Sequence, residues 1–163
     1  MNVESVIVRH MTVNDVPAVM EIDRLSLPTP WSERGFHYEL TENPASCLLL
    51  AERFPQILGF IGFWRLVDEA HISTLGVLPD QRRQGIGSML LREAIKQAMT
   101  RGALLVTLEV RQSNLAAINL YHKHGFEVVD RRVGYYRDNQ ENAILMTLKD
   151  LGGTIAAAHG GEG

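Results

Sequence analysis

Hydrophobic positions in the first third of the chain predict a short strand followed by two helices. Residues Ser5–Arg9 contain three consecutive β-branched side chains, which are typical of a strand. Asn14 or Asp15 can then serve as the N-cap of a helix whose apolar residues recur on one side. Ser32 is a suitable N-cap for a second short helix, which is expected to end near residues 43–44.

The middle of the chain changes from an extended pattern to a helical one. Three segments rich in Val, Ile, Leu and Phe predict an antiparallel meander: Ser46–Glu52, Ile57–Val67 and Ala70–Leu78. From Gly85 onward the apolar residues recur on one stripe of a helix, which Gly102 is expected to close.

The last third predicts one more helix and three more strands. The strands are Leu104–Val110, Phe126–Tyr135 and Ala143–Leu148, and the helix is Asn114–His124. The predicted order is β-α-α-β-β-β-α-β-α-β-β. Because the strand–helix–strand unit from Ile72 to Val110 implies a right-handed crossover, two parallel strands are expected inside a mixed, mostly antiparallel sheet of about seven strands with flanking helices. The predicted fold class is α/β.

Composition indicates one ordinary soluble domain. The chain has 163 residues, of which 45% are hydrophobic and 21% charged. We expect a single domain over residues 1–150 and a flexible Gly/Ala-rich tail over 151–163. No segment approaches the roughly 20 apolar residues of a spanning helix, and the N-terminus lacks a signal peptide's basic start. A cytoplasmic protein without membrane contact is therefore expected.

Charge and cysteine content narrow the partners. Cys47 is the single cysteine, which excludes an intramolecular disulfide and any site made of several thiolates. A net charge of −3 gives no general electrostatic footprint for nucleic acid. We therefore expect a small-molecule or protein substrate and no nucleic acid. His122 and His124 lie two apart on a predicted helix and cannot chelate one ion together, and we expect no metal. A monomer or weak dimer is expected.

A glycine-containing turn precedes the most amphipathic helix. It consists of Arg82, Arg83, Gln84, Gly85, Ile86, Gly87 and Ser88. Glycine lets a backbone approach a ligand closely, and the unpaired amides at a helix start favour an anion such as phosphate. A Walker loop would need a lysine here, and a dinucleotide fingerprint would need a small residue at Leu90. Both of these nucleotide sites are excluded.

A glutamate lies within the strand Leu104–Val110. The period of two places Val106, Leu108 and Val110 on one face, and Thr107 with Glu109 on the other. Burying an unpaired carboxylate is costly, so Glu109 either reaches solvent, pairs with a cation, or faces a site as a base or a holder of water.

These motifs resemble those of the Gcn5-related N-acetyltransferase (GNAT) superfamily. Arg-x-x-Gly-x-Gly after a strand ending in Leu75, Gly76 and Val77 is similar to that family's acyl-CoA pyrophosphate loop, and the resemblance extends from about Val6 to Leu148. It implies the GNAT fold with splayed parallel central strands, acetyl-CoA as co-substrate, and binding by residues 82–88. It further implies that amides near Leu75–Val77 polarise the thioester carbonyl.

The resemblance also implies catalytic roles. Glu109 would act as a base through ordered water, and Tyr121 would protonate the leaving thiolate, although Tyr121 can also be a core residue. Asn114 would bond the pantetheine arm and is equally a good helix N-cap. His71 stands where relatives use a histidine or tyrosine to help deprotonate the amine, and is otherwise structural.

Three segments resemble the ribosomal-protein alanine N-acetyltransferases and other protein N-terminal acetyltransferases more narrowly. They are Pro30–Ser32, Leu108–Asn114 and Gly134–Tyr136. The resemblance implies that Trp31, Tyr135 and Tyr136 line a peptide slot, while Trp31 and Tyr135 can also be packing anchors. Relatives commonly follow the tyrosine pair with an Asp-Gly-Glu-Asp type stretch, whereas this chain has 137–142 as Arg-Asp-Asn-Gln-Glu-Asn, which suggests selection of a different first residue.

The expected reaction is direct transfer of acetyl from acetyl-CoA to the N-terminal α-amine of a protein, of which a ribosomal protein is one candidate. An α-amine is about a tenth neutral at pH 7, against about four lysine side chains in ten thousand, so it needs less help from a base. Two alternatives stay open: acetylation of a small-molecule amine, and an acyl-CoA-binding sensor without turnover.

Overall fold

The computed structural model describes residues 5–149 and Leu151, and the predicted order of elements is confirmed in them. The elements are β1 (Ile7–His10), α1 (Val16–Ser26), α2 (Glu33–Thr41), β2 (Ser46–Arg53), β3 (Gln56–Leu66), β4 (Glu69–Val77), α3 (Ile86–Thr100), β5 (Leu105–Arg111), α4 (Leu115–Lys123), β6 (Glu127–Arg132) and β7 (Ala143–Leu148). Short 3-10 turns at Val13–Asp15 and Pro79–Gln81 precede α1 and α3.

The described strands form a seven-stranded sheet in the order β1-β2-β3-β4-β5-β7-β6. The β1–β2, β2–β3, β5–β7 and β6–β7 pairs are antiparallel. β4 and β5 pair in parallel over Glu69–His71 and Leu105–Thr107, which is three of the nine residues of β4. The short parallel pairing agrees with the splayed central strands that were predicted, and the mixed, mostly antiparallel α/β sheet is confirmed.

The chain divides into two compact units. The first runs to Arg65 and includes Ser73–Ala94. Its core consists of residues from α1, α2, β2 and β3 with Met11: Met11, Val16, Val19, Ile22, Phe36, Leu48, Leu50 and Phe60. The rings of Phe36 and Phe60 meet edge to face, with centroids 5.9 Å apart. This cluster fixes α1 and α2 on the sheet.

The second unit contains Leu66–Ile72 and the chain from Ile95 onward. The predicted alternation in β5 is confirmed, because Val106, Leu108 and Val110 are buried while the residues between them are half-buried. Leu108 pairs with Met146 of β7, which is also buried. The buried face of β5 therefore anchors the strand and leaves its other face for polar chemistry.

Of the predicted N-caps of the first two helices, that of α2 is confirmed and that of α1 is wrong. Ser32 caps α2 as predicted, since its Oγ accepts a hydrogen bond from the Gly35 amide at 3.0 Å. Asp15 precedes α1, but its side chain does not cap that helix. Its carboxylate accepts instead from the Thr12 amide at 2.8 Å and from Arg9 at 2.9 Å.

The end of the sixth strand differs from its prediction, and the C-terminal tail lies mostly outside the described residues. The strand predicted over Phe126–Tyr135 is too long, because β6 ends at Arg132 and Gly134 adopts a φ of +63° that extended backbone does not use. Tyr135 therefore lies in the β6–β7 loop. Of the predicted tail, Leu151 is described and buried, and the rest lies outside the described residues. The single domain over 1–150 stays a prediction.

Candidate active site

The glycine turn has the backbone that an anion site requires. The first bond of the α3 ladder runs from the Met89 amide to the Gly85 carbonyl at 3.0 Å, so the Ile86 and Gly87 amides stand ahead of the ladder. Gly85 has a φ of +80°, and no atom lies within 4 Å of the place where its Cβ would be. The backbone conformation requires glycine, and the space beside it is open.

The side chains of this segment divide into two groups. Arg82 and Arg83 are exposed, and Arg83 has a φ of +64°. Ile86 and Ser88 are buried in the first unit, so their side chains are not exposed to a ligand. Gln84 is half-buried, and its Oε1 is buried without a hydrogen-bond partner among the described residues. Within residues 82–88, the groups predicted to bind the cofactor are therefore two exposed arginines and the backbone amides at the start of α3.

The end of β4 is tightly packed inside the first unit. A Cβ on Gly76 would come within 2.9 Å of the Phe60 ring, and the Val77 carbonyl accepts from Ser26 Oγ at 3.0 Å. Arg82 Nε makes a longer contact of 3.4 Å to the same carbonyl. Packing explains the glycine at position 76. The predicted role of the Leu75, Gly76 and Val77 amides in polarising a thioester stays a prediction.

Glu109 lies on the half-buried face of β5 and meets the loop that follows β6. Tyr135 Oη donates a hydrogen bond to Glu109 Oε2 at 2.7 Å. This bond to a carboxylate raises the pKa of Tyr135 above its usual value. Tyr135 is 40% exposed, and the Arg132 guanidinium lies 5.9 Å from its ring centroid. The structure therefore brings Glu109 and Tyr135, predicted as base and slot residue, into direct contact.

Two further tyrosines lie in the same unit. Tyr136 is half-buried, with its ring 5.1 Å from that of Tyr135, and burial raises its pKa to about 12. Tyr121 of α4 is 6% exposed and packs on Phe126, with ring centroids 5.5 Å apart. Burial raises the pKa of Tyr121, and Tyr136 adds to that shift electrostatically. Both hydroxyls therefore keep their protons at neutral pH.

His71 is held by a residue that lies on the same face of β5 as Glu109. Its Nδ1 lies 2.9 Å from Thr107 Oγ1, and the two residues are register partners in the parallel pair. Thr107 and Glu109 are two residues apart on β5 and so share a face. The sequence placed Thr107 on that face but did not reveal its bond to His71.

Asn114 occupies the N-cap of α4. Its Oδ1 accepts from the Ala117 amide at 3.1 Å, and its side chain is exposed. The capping role is confirmed. Since the cap uses the oxygen alone, it does not compete with donation from Nδ2, and the predicted bond to pantetheine stays a prediction.

Trp31 is a packing residue of the first unit. Its ring centroid lies 5.1 Å from that of Phe36, and its backbone amide donates to Asp23 Oδ2 at 2.8 Å. Asp23 is 1% exposed, and burial raises the pKa of its carboxyl. Sequence reasoning missed Asp23, because the partner that it holds lies eight residues away in a loop. The predicted peptide contact of Trp31 stays a prediction.

The largest omission of the sequence prediction is Arg111. Its guanidinium contacts both carboxylate oxygens of Asp138, at 3.0 and 2.9 Å, and lies 4.0 Å above the centre of the Tyr136 ring. The signal was present in the period of two, which places Arg111 on the face of Glu109. Its partners, 25 to 27 residues further along the chain, could not be found from that pattern.

Within residues 5–149 and Leu151, no three His, Cys, Asp or Glu side chains are grouped so that they could hold a metal ion. None of the helices in the same residues has the length and apolar character needed to cross a bilayer.

Comparison with known proteins identifies the family. Residues 16–126 match the acetyltransferase (GNAT) family. The chain is 36% identical over 140 residues to the ribosomal protein bS18-alanine N-acetyltransferase of Salmonella typhimurium (strain LT2), covering 85% of this chain and 93% of that one. The crystal structure of the ribosomal-protein-S18-alanine N-acetyltransferase from Escherichia coli has a TM-score of 0.80 at 33% identity, covering 88% of this chain and 93% of that chain.

A more distant structure shares the fold alone. A GNAT family acetyltransferase from Elizabethkingia anophelis, solved with acetyl-CoA bound, has a TM-score of 0.75 at 22% identity and covers 90% of this chain and 99% of that chain. The family match and the bacterial relatives confirm the predicted fold and the predicted enzyme class. The chain belongs to the GNAT family of acetyltransferases.

Proposed function

We propose that this enzyme acetylates the N-terminal α-amine of a protein, with acetyl-CoA as the donor. The observation that carries the proposal is the hydrogen bond between Glu109 and Tyr135, which joins a carboxylate to an exposed tyrosine of the β6–β7 loop. The relative from Salmonella and the structure from Escherichia coli are both named for acetylating an alanine of a ribosomal protein. We therefore propose a ribosomal protein as the acceptor and the cytoplasm as the place of the reaction.

Glu109 is the proposed base. A carboxylate attracts the α-ammonium of an acceptor and can take its proton directly or through one water. Because an α-amine with a pKa near 8 is already about a tenth neutral at pH 7, a single carboxylate suffices for it, whereas a lysine would need more. His71 lies on the neighbouring strand, bonded to Thr107, and is a second group that can accept a proton.

Tyr121 is the proposed acid. Its hydroxyl is buried, and the raised pKa keeps the proton on Oη at neutral pH. The raised pKa does not itself favour transfer to sulfur, because a thiol with a pKa near 8.5 is a stronger acid than this tyrosine. The proposed role is to donate a hydrogen bond to the leaving sulfur anion and to pass the proton as negative charge develops there. We propose direct attack of the amine rather than an acyl-enzyme, which agrees with the burial of Cys47 at 2% exposure.

The glycine turn is the proposed binding site for the diphosphate of the donor. Acetyl-CoA supplies the acetyl group as a thioester. The open space beside Gly85, the Ile86 and Gly87 amides ahead of the α3 ladder, and the exposed Arg82 and Arg83 fit a doubly charged anion. Gln84 and Ser88 belong to the same predicted segment. Asn114 keeps its Nδ2 donors beside its capping bond and is the proposed contact to the pantetheine arm.

Tyr135, Tyr136 and Trp31 are the proposed contacts to the acceptor peptide. Among the three, Tyr135 is the most exposed and touches the base, so we expect it to contact the first residue of the acceptor. Residues 137–142 read Arg-Asp-Asn-Gln-Glu-Asn instead of the Asp-Gly-Glu-Asp type stretch common in relatives, and we propose that this enzyme's first-residue preference differs from theirs.

The test is a peptide panel. Purified protein is incubated with acetyl-CoA and short peptides that differ in their first residue, with polyamines and free amino acids alongside, and both thiol release and product mass are measured. We expect α-acetylation of a subset of peptides, and its loss when the amine is blocked. Acetylation of small amines alone would refute the peptide acceptor. Binding of acetyl-CoA without any product, also with a folded ribosomal protein as acceptor, would refute catalysis.

A further inference from the structure

We propose that Arg111 is a positioning residue that fastens the tyrosine loop and so sets the Tyr135 hydroxyl against Glu109. The inference rests on the function proposed above. In this proposal Arg111 does not contact the substrate. Its effect on acetyl transfer passes through Tyr135.

Arg111 contacts three side chains of the β6–β7 loop. Both oxygens of Asp138 accept from its guanidinium, at 3.0 and 2.9 Å, and Asn139 Oδ1 accepts at 3.3 Å. Glu141 Oε1 lies 3.6 Å from the same group. The Arg111 side chain is 15% exposed, so solvent screens these contacts less than it would screen those of a surface ion pair.

The same guanidinium also supports the tyrosine pair. It lies 4.0 Å from the centre of the Tyr136 ring, and Tyr136 packs edge to face on Tyr135 with centroids 5.1 Å apart. Glu109 and Arg111 lie on the half-buried face of β5, opposite the buried face. Two consecutive tyrosines of the loop contact them, Tyr135 at Glu109 and Tyr136 at Arg111. Fixing Tyr136 on Arg111 therefore fixes where Tyr135 falls relative to Glu109.

The loop is built to transmit this attachment. The Tyr136 amide donates to the Glu141 carbonyl at 3.1 Å, and the Gly134 amide donates to Asn142 Oδ1 at 3.0 Å. Glu141 Oε2 in turn accepts from the Ser113 amide at 2.7 Å. Because these bonds close the loop on itself, a change at its Arg111 end moves the tyrosines together rather than one at a time.

Arginine is the side chain that this arrangement requires. A planar guanidinium can bind both oxygens of a carboxylate in one plane and stack on a ring, whereas the ammonium of lysine is a point charge on a flexible stem. Without the cation, Asp138 and Glu141 would be left beside each other with no compensating charge. Lysine should therefore restore the charge but not the placement.

The test is a double-mutant cycle of Arg111→Gln and Tyr135→Phe, measured with the best acceptor from the peptide panel. We expect each single variant to lower kcat/KM for the acceptor roughly tenfold while the KM for acetyl-CoA changes little. The double variant should be no worse than the poorer single variant, because both remove the same placement. Arg111→Lys should recover less than half of the loss, and Arg92→Gln on the exposed side of α3 should match the wild type. Multiplying effects in the double variant would overturn the proposal.

A second measurement does not depend on turnover. Tyrosine labelled with 13C at the ζ carbon gives four resonances, and Tyr135→Phe identifies that of Tyr135. In Arg111→Gln this resonance should move in the same direction as in Glu109→Ala, since both variants break the bond between Tyr135 and residue 109. An unmoved resonance would overturn the positioning role. If no acceptor is acetylated but the resonance moves, the proposed function fails and the positioning role stands.

Discussion

Replacing Asp15 by asparagine tests whether an ion pair holds the first strand to the turn before α1. Arg9 binds both oxygens of Asp15 at 2.9 Å and also reaches Glu52 of β2 at 3.2 Å. Asparagine keeps an oxygen that can accept from the Thr12 amide but removes the charge. We expect a loss of stability and no change in the fold.

The magnitude follows from the pKa of Asp15. Its hydrogen bonds to Arg9, with further bonds from Thr12, lower the pKa from 3.8 to about 2. At about 1.36 kcal/mol for each pKa unit, the paired carboxylate contributes about 2 kcal/mol at pH 7. The side chain is 11% exposed, so solvent screening does not remove this contribution. Arg9 also binds Glu52, so the pKa shift of the Asp15 carboxyl reflects the Asp15 part of this cluster, whereas a pKa shift of Arg9 would combine both carboxylates.

The sign of the pH dependence is fixed by the direction of the shift. A carboxyl whose pKa is lowered by folding contributes its full stabilisation above the unfolded pKa and loses it as pH falls toward the folded pKa. From pH 7 to pH 3, about half of the contribution should disappear in the wild type. Urea unfolding at both pH values, followed by circular dichroism, measures the difference between wild type and variant.

Asp80→Asn is the matched control for this experiment. Asp80→Asn replaces an exposed carboxylate in the 3-10 turn before α3 and should cost less than about 0.5 kcal/mol at either pH. If Asp15→Asn cost the same at pH 3 as at pH 7, the loss would come from packing rather than from the charge of the carboxylate, and the ion-pair reasoning would be refuted.

Three other predictions concern the site and its supports. Glu109→Gln and Tyr121→Phe should each lower kcat by about 10²–10⁴ with little change in acetyl-CoA affinity, measured by steady-state kinetics and calorimetry; full activity in either would remove that residue's role. Gly85→Ala should raise the KM for acetyl-CoA and cost about 1–2 kcal/mol, whereas Gly102→Ala, with a φ of +90° and equally open space, should cost stability alone. Folding raises the pKa of Asp23, and a raised carboxyl pKa gives stability that is lost as pH rises through it, so Asp23→Asn should gain on the wild type between pH 4 and pH 7 in urea unfolding. If the stabilities of the wild type and Asp23→Asn changed in parallel with pH, the prediction for Asp23 would be contradicted.

Local signals explain most of what the sequence predicted correctly. The alternation of β5 and the bounds of Ala143–Leu148 depend on which residues are apolar, and the caps at Ser32 and Asn114 depend on residues three positions away. Each of these can be seen within one short window. The family motifs around Gly85 and Glu109 lie in equally short windows, and for that reason the enzyme class could be predicted.

The failures concern contacts between distant segments. The predicted end of β6 was wrong because nothing in the alternation near Val133 shows that Gly134 turns the backbone to a positive φ. Asn14 and Asp15 were the two candidate caps of α1, but Asn14 lies inside the preceding 3-10 turn, and Arg9 and Thr12 bind the Asp15 carboxylate. The partners of Arg111 lie 27 and 28 residues downstream, in a loop that the pattern left without structure.

The way in which the tyrosine loop is fastened has a consequence for how this enzyme can diverge. Asp138 holds the loop to Arg111 of β5, and Glu141 holds it to the turn before α4. Val133 and Arg137, on either side of the tyrosine pair, are exposed and use no side-chain atom in that attachment. If the loop contacts the acceptor as proposed, mutations at these two positions can alter what an incoming peptide contacts while Glu109, the proposed base, and Tyr135 keep their geometry. Acceptor choice is thus open to change in small steps that do not pass through an inactive enzyme.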